Sequence, residues 1–358
     1  MNKIKSKKKL PVIISVLLVI IIAADWIAST ILYNSNFKTR FESYKPLMYR
    51  VEDYEGLSMT KYQFTSDKGQ KLRGYWYSAG SNQKGIVIMA HGFGGGGHNF
   101  YMSCANQFAQ NGYYVFAYDV TGCDESEGDG VRGIPQGMID LQHAISFVEE
   151  NKDFPKLPIV LFGHSWGGYS VCSVLKYHPE VKAVVACSGF NSSTDMIEDV
   201  GTDIAGPLFY GMLPFVKLHE KILFKEYSSC TAMDGFAASN AAVMVVHSDD
   251  DTVVPKKYGY DIYYETYKND SRFTFLEFKD KGHNNIFRDT TYYNAFDKEI
   301  LDYYTTLDYD YNSPANSERF AKDRADYINN HIDRAKWADC VDKDLLKQFI
   351  DFYDSHLN

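Results

Sequence analysis

Short apolar runs alternate with helical segments through the middle of the chain. Unbroken apolar runs predict strands that are buried on both faces, as in a parallel sheet. An apolar stripe at helical spacing predicts a helix over 137–151, and a second helix is predicted over 289–304. Strands and helices that alternate every ~20 to 30 residues indicate parallel βαβ units and an α/β fold. The predicted strands are residues 85–90, 113–118, 159–162, 182–188, 241–247 and 273–278.

Three further segments depart from this rhythm. Two alternating runs, 62–64 and 72–77, flank Ser66-Asp67-Lys68-Gly69 and predict a β-hairpin. Residues 190–238 are too long for a simple crossover, and their apolar clusters are interrupted by Gly206-Pro207, Gly211 and Pro214. We expect a cap of short helices there, over the functional site. Beyond the linker 305–317, the rest of the C-terminal extension 305–358 is charged and helical in pattern.

The N-terminus has the pattern of a membrane anchor. Residues 1–9 contain five lysines, and residues 10–24 carry no charge. Apolar character continues past Asp25 to Tyr33, which gives enough residues to cross about 30 Å of hydrocarbon. We expect an uncleaved signal anchor over 10–33, a cytoplasmic tail over 1–9 and a connector over 34–58. Cleavage after Ile22-Ala23-Ala24, with release of the domain, is the alternative.

The stretch Gly163-His164-Ser165-Trp166-Gly167 ends one predicted strand and precedes a helical segment. Gly-x-Ser-x-Gly in this context is typical of a nucleophile elbow, in which Ser165 is exposed at a sharp turn. Two other strand ends carry matching chemistry. The strand 241–247 runs into Asp249-Asp250-Asp251, and the strand 273–278 is followed by Gly282-His283. A serine, an acid and a histidine in this order match the order of one class of hydrolases.

These motifs resemble the α/β-hydrolase superfamily, near monoacylglycerol lipases, serine aminopeptidases and small carboxylesterases, over about residues 59–304. The resemblance implies that the hairpin is the antiparallel edge of the sheet. It selects Asp251 as the triad acid, from Asp-x-Val-Val-Pro, and makes Ser165 and His283 its partners. It also implies an oxyanion hole built by the backbone N–H groups of Phe93 and Trp166. The loop after Asp119 departs from the family pattern, since Asp124 replaces a glycine.

Composition narrows the functions that remain. A formal charge of −9 and no basic stripe beyond the first nine residues argue against nucleic-acid binding. The six cysteines are far apart and lack the spacing of a zinc site, so neither a metal nor an organic cofactor is expected. The cysteine spacing does not require a disulfide bond, but a disulfide remains an open alternative if the domain lies outside the cytoplasm. The oligomeric state is left open as well.

We therefore expect a serine hydrolase, anchored in the cell membrane with its domain on the outer side, that cleaves small acyl esters. A serine aminopeptidase-like enzyme is the alternative, with Glu198, Asp199 and Asp203 of the cap offered to a substrate amine. An acyltransferase would use the same triad. A tethered binding protein without catalysis is disfavoured, because all three side-chain positions are filled.

Overall fold

A computed structural model describes residues 9–357. Eight strands form one sheet in the order β1-β2-β4-β3-β5-β6-β7-β8. β1 and β2 pair antiparallel, β2 is antiparallel to β4, and the six strands β3 to β8 are parallel to one another. The predicted mostly parallel sheet and its antiparallel edge hairpin are therefore confirmed. The strands are β1 (Ser58–Thr65), β2 (Lys71–Ser78), β3 (Gly85–Ala90), β4 (Tyr113–Tyr118), β5 (Ile159–His164), β6 (Ala183–Cys187), β7 (Ala242–Ser248) and β8 (Phe273–Phe278).

Helices cover both faces of this sheet, and two apolar cores fill the space between the layers. Every residue of β3, β5, β6 and β7 is buried, as their unbroken apolar runs predict. The α-helices are α1 (Lys9–Phe37), α2 (Met102–Gln110), α3 (Pro135–Glu150), α4 (Trp166–Ser173), α5 (Ser193–Ala205), α6 (Phe209–Phe224), α7 (Ala232–Ala238), α8 (Tyr260–Tyr267), α9 (Thr290–Tyr304), α10 (Ser317–His331), α11 (Arg334–Ala338) and α12 (Lys343–Asp354).

Helix α1 is long and apolar enough to cross a membrane. The helix extends to Phe37, one turn beyond residue 33, where the predicted membrane anchor ends. Polar Asn34, Ser35 and Asn36 hid this last turn in the sequence, although two of them bond back to the carbonyl of Leu32. Residues 1–8 of the cytoplasmic tail predicted over 1–9, with four of its five lysines, lie outside the described residues.

Helices α5 and α6 lie between β6 and β7, where the sequence predicts an insertion. Helix α6 runs through Gly211 and Pro214, so the interruption expected at these residues is absent. Pro214 is the sixth residue of α6 and removes the helical bond to the carbonyl of Tyr210, a residue that is exposed. Helix α7 instead packs against α4, where a Cβ on Gly235 would lie 2.0 Å from the carbonyl oxygen of Cys172.

The C-terminal helices pack on the domain. Leu346 and Phe349 of α12 are fully buried, and Tyr353 donates its hydroxyl proton to the carbonyl of Leu161 at 2.7 Å. The connector after α1 is fixed in the same region, because Trp337 Nε1 donates to the carbonyl of Leu47 at 3.0 Å. Residues 305–354 are thus part of the folded body.

Candidate active site

The turn between β5 and α4 has the strained geometry of a nucleophile elbow. Ser165 has φ 58° and ψ −119°, and its backbone N–H is held by the carbonyl of Cys187 at 2.8 Å. A Cβ on Gly163 would lie 2.2 Å from the carbonyl oxygen of Gly167, and one on Gly167 would lie 2.0 Å from that of Ala90. Only glycine fits at these two positions, which explains the Gly-x-Ser-x-Gly spacing.

His283 and Asp251 meet beside this elbow. His283 Nδ1 donates to Asp251 Oδ2 at 2.8 Å, and this bond leaves Nε2 for a group in the cavity. Ser165 and His283 line one cavity of about 360 Å³, and Asp251 lies behind His283 with its side chain fully buried. The structure thus brings the three predicted residues to the same ends of β5, β7 and β8.

The Asp251 carboxylate is held ionised by its hydrogen bonds. Oδ1 accepts from the backbone N–H groups of Val253 at 3.0 Å and Val254 at 2.8 Å. Burial by itself raises the pKa of this carboxyl, but hydrogen bonds from His247, His283 and the Val254 backbone hold its pKa well below the usual range. An ionised carboxylate fixes the His283 tautomer and stabilises the imidazole when it is charged.

The glycine-rich loop after β3 covers the nucleophile. A Cβ on Gly92 would lie 3.4 Å from Ser165 Cβ, and the following residue, Phe93, lines the cavity. The rings of Phe93 and Trp166 meet edge to face at 5.4 Å. Phe93 and Trp166, the residues of the two predicted oxyanion donors, thus line the same cavity as Ser165. His91 supports the loop, since its Nδ1 donates to the Gly92 carbonyl at 2.7 Å and its Nε2 accepts from Val120 at 3.0 Å.

A relay of hydrogen bonds, which the sequence did not reveal, joins the three loops of the site. Gly92 N–H donates to Tyr101 Oη at 2.9 Å, and Tyr101 Oη donates to His164 Nδ1 at 2.9 Å. His164 Nε2 then donates to the carbonyl of His283 at 2.8 Å. Burial, aided by nearby His283, lowers the pKa of His164 to about 3, so this imidazole is neutral and keeps both bonds. Its position before Ser165 is the one signal that sequence offered.

Two aspartates outside the predicted set also position loops. Asp250 Oδ1 accepts from Gly282 N–H at 2.9 Å and from Ser248 Oγ at 2.5 Å, which ties the His283 loop to the end of β7. Asp124 Oδ2 accepts from Gly97 N–H at 2.8 Å and from Ser43 Oγ at 2.6 Å. The departure from the family glycine at residue 124 thus binds the glycine-rich loop to the segment after α1.

The cavity above Ser165 is apolar. Among the described residues, none that lines it is an aspartate, glutamate, lysine or arginine. Of the three acidic residues expected to face a substrate amine, Asp199 accepts a hydrogen bond from Tyr258 Oη at 2.5 Å, and none lines the cavity. The lining comes from the glycine-rich loop, from α5 and α6, and from the last turns of α1, where it includes Leu32, Tyr33, Asn36 and Phe37.

Comparison with known proteins agrees with this geometry. A family model described as serine aminopeptidase, S33, matches residues 81–233. A monoglyceride lipase of Rattus norvegicus is 33% identical over 26% of this chain and 30% of its own length. A thiohydrolase of Aspergillus aculeatus is 27% identical over 43% of this chain and 50% of its own length. The matched segments thus span about half or less of these relatives.

An esterase structure from Pyrococcus furiosus aligns with a TM-score of 0.51 and 17% identity, over 70% of this chain and 91% of that one. At 17% identity the alignment supports a common fold and nothing more. Strand order, elbow and matches together show that the chain has the α/β-hydrolase fold.

Proposed function

We propose that this protein is a serine hydrolase that cleaves carboxylic esters through a Ser165-His283-Asp251 triad. The observation that carries the proposal is the 2.8 Å bond from His283 Nδ1 to buried Asp251 Oδ2, beside a serine in strained elbow geometry. The bond leaves His283 Nε2 as the base for the Ser165 hydroxyl. Two relatives are named as a monoglyceride lipase and a thiohydrolase, and both names denote hydrolases, which supports the same class of reaction.

In this mechanism His283 Nε2 takes the Ser165 proton while Oγ attacks the ester carbonyl. Asp251 stabilises the charged imidazole, and the Phe93 and Trp166 N–H groups hold the oxyanion. His283 then gives its proton to the leaving alcohol. Water attacks the acyl-enzyme by the same route in reverse, which releases the acid and restores Ser165.

The apolar cavity favours an acyl chain over a charged amine. A peptidase that recognises a free amino terminus needs a carboxylate near the scissile bond, and the described lining supplies none. Helices α5 and α6 act as the cap that shapes this acyl site. We further propose that α1 anchors the chain in the cell membrane with the hydrolase domain on the outer side.

The test replaces Ser165 with alanine in the full-length protein. Fluorophosphonate labelling and p-nitrophenyl ester turnover should both be lost. Ser170→Ala is the matched control, because Ser170 lies one turn further along α4 and bonds only the Trp166 carbonyl at 2.8 Å. Labelling of Ser165→Ala at the wild-type level would refute the assignment. Faster turnover of aminoacyl amides than of acyl esters would favour the peptidase.

A further inference from the structure

The end of the membrane helix is built into the substrate cavity. Leu32, Tyr33, Asn36 and Phe37 of α1 line the same cavity as Ser165. A flexible tether would leave these residues free of the catalytic domain. The contacts of α1 therefore decide whether it is only an anchor.

A buried carboxylate fixes α1 to the cap. Glu220 Oε1 of α6 accepts from Tyr33 Oη at 3.0 Å and from Ser193 Oγ of α5 at 2.8 Å. The Tyr33 hydroxyl fits only because residue 133 is glycine, where a Cβ would lie 2.1 Å from it. One side chain thus joins α1, α5 and α6, so the cavity wall supplied by α1 has a fixed position.

Helix α6 meets α1 at the depth where the membrane should end. Asp25 is the single charged residue of α1 beyond Lys9. Counted from Leu10, a span of about 20 residues, or about 30 Å, ends near Ser29. Ser29 Oγ donates to the carbonyl of Met212 at 3.4 Å, and the rings of Trp26 and Phe215 meet at 6.4 Å. With α1 spanning the bilayer as proposed, the start of α6 would lie at the membrane surface.

The junction of α5 and α6 is suited to that surface. Residues 204–216 contain no charged side chain. Ile204, Leu208 and Tyr210 are nonetheless 58%, 80% and 58% exposed. These residues lie within a few positions of Met212, beside α1. A bilayer surface would cover them, and it is already adjacent through α1.

We propose that the last turns of α1 are a wall of the acyl site and that the α5–α6 junction rests in the bilayer surface. The inference depends on the proposed ester hydrolysis and names its substrate class: an acyl ester carried by the membrane, whose chain enters between α1 and the cap. The wall formed by Leu32 to Phe37 lies about 5 to 12 Å beyond Ser29 along the helix. The acyl chain of the substrate therefore needs to leave the membrane only partly to reach it.

The first test changes the wall in the full-length protein reconstituted in phosphatidylcholine vesicles. Leu32→Trp should lower kcat/KM for a decanoyl ester by about tenfold or more, in line with the cost of misfit in an apolar pocket. Turnover of a butanoyl ester should fall by a smaller factor, because a short acyl chain touches less of this wall. Leu32→Ala should shift the preference to longer chains. Ile31→Trp is the control, since Ile31 is 63% exposed and outside the lining.

Equal acyl-chain-length profiles for Leu32→Trp and Ile31→Trp would overturn the proposal that α1 forms a wall of the acyl site. An equal loss on both esters, with labelling intact, would overturn it as well. If the wild type turns over no ester, the proposed function fails, and this outcome is separate because it does not involve position 32.

The second test reads membrane contact without activity. All six native cysteines are buried, so Leu208→Cys gives one reactive site for a polarity-sensitive maleimide. In vesicles its emission should shift to the blue and be quenched by doxyl-labelled phosphatidylcholine. Lys298→Cys is the control, with its side chain 75% exposed on α9. Quenching that is equal at the two positions, or absent at residue 208, would overturn the docking of the α5–α6 junction.

Discussion

Asp249, Asp250 and Asp251 have the same type of side chain but lie in three different environments. Asp249 is exposed and pairs with Lys256 at 3.0 Å. Asp250 is exposed but accepts the Gly282 N–H of the His283 loop. Asp251 is buried against His283. Sequence places all three on the same turn, and burial with hydrogen bonding separates their roles.

Alanine at each of these positions should therefore give a graded series. Asp251→Ala should lower kcat by about 10⁴-fold, because the imidazole loses its tautomer and its counter-charge. Asp250→Ala should lower kcat by about tenfold, the order of one lost charged hydrogen bond. Asp249→Ala should change it by about twofold or less. Ester turnover and fluorophosphonate labelling measure the series, and an equal loss at Asp249 and Asp251 would contradict the assignment.

Tyr101 should act as a positioning residue through its hydroxyl. Tyr101→Phe removes the partner of Gly92 N–H and of His164 Nδ1, so the loops that carry Phe93 and His283 lose their link. We expect kcat to fall about tenfold, the order of one or two hydrogen bonds, with KM little changed. Tyr169→Phe is the matched control, since its buried hydroxyl bonds the Cys230 carbonyl instead. An unchanged kcat for Tyr101→Phe would remove the relay from the mechanism.

The candidate site was predictable where its chemistry depends on local spacing. Gly163 and Gly167 are required by the elbow itself, and Asp251 and His283 each follow a recognisable strand. The relay through Tyr101 and the Asp250 contact were not predictable, because both join residues that are distant in sequence. Their partners meet only once β3, β5, β7 and β8 are aligned in the sheet.

At the level of elements, the junction of α1 with α6 should respond to pH. Burial raises the pKa of Glu220 to about 7, above the usual value for glutamate, although Ser193 and Tyr33 oppose this. The folded state then binds more protons than the unfolded state between about pH 4.5 and 7. Stability should accordingly fall as pH rises through that window, by a total of about 3 kcal/mol.

Glu220→Gln should remove this dependence. The glutamine amide oxygen still accepts from Tyr33 and Ser193, and it carries no charge to bury. The variant should therefore be more stable than the wild type at pH 8 and similar to it at pH 5. Denaturant unfolding of the full-length protein at both pH values measures the difference. Glu226→Gln is the control on the exposed segment after α6, and a wild type with equal stability at both pH values would contradict the expectation.

The boundaries of several elements were less predictable than their existence. Pro214 and Gly211 are common helix breakers, yet α6 continues through them, with Leu213, Val216 and Glu220 buried along one side of the helix. The amphipathic pattern around Phe349 predicted a helix and gave no partner for it. That partner is the face of the sheet, which exists only in the folded body.

Across the whole molecule, the first and last described helices, α1 and α12, are both held against the folded body. Helix α1 is joined to the cap through Glu220, and α12 is joined to β5 through Tyr353. Noncovalent packing holds both helices, since all six cysteines are free in the structure. The sequence left a disulfide open, and the protein should show none, even with its domain outside the cytoplasm.

The thiols should therefore be protected by burial. Burial raises the pKa of Cys104 to about 12 and that of Cys340 to about 11, so little reactive thiolate exists at neutral pH. Without a reductant, the native protein should react with almost no thiol reagent, whereas the denatured protein should titrate all six cysteines. Electrophoresis with and without reductant should give one mobility. Fewer than six thiols after denaturation would reveal a disulfide and would require the packing around the paired cysteines to rearrange, because none of them is bonded in this fold.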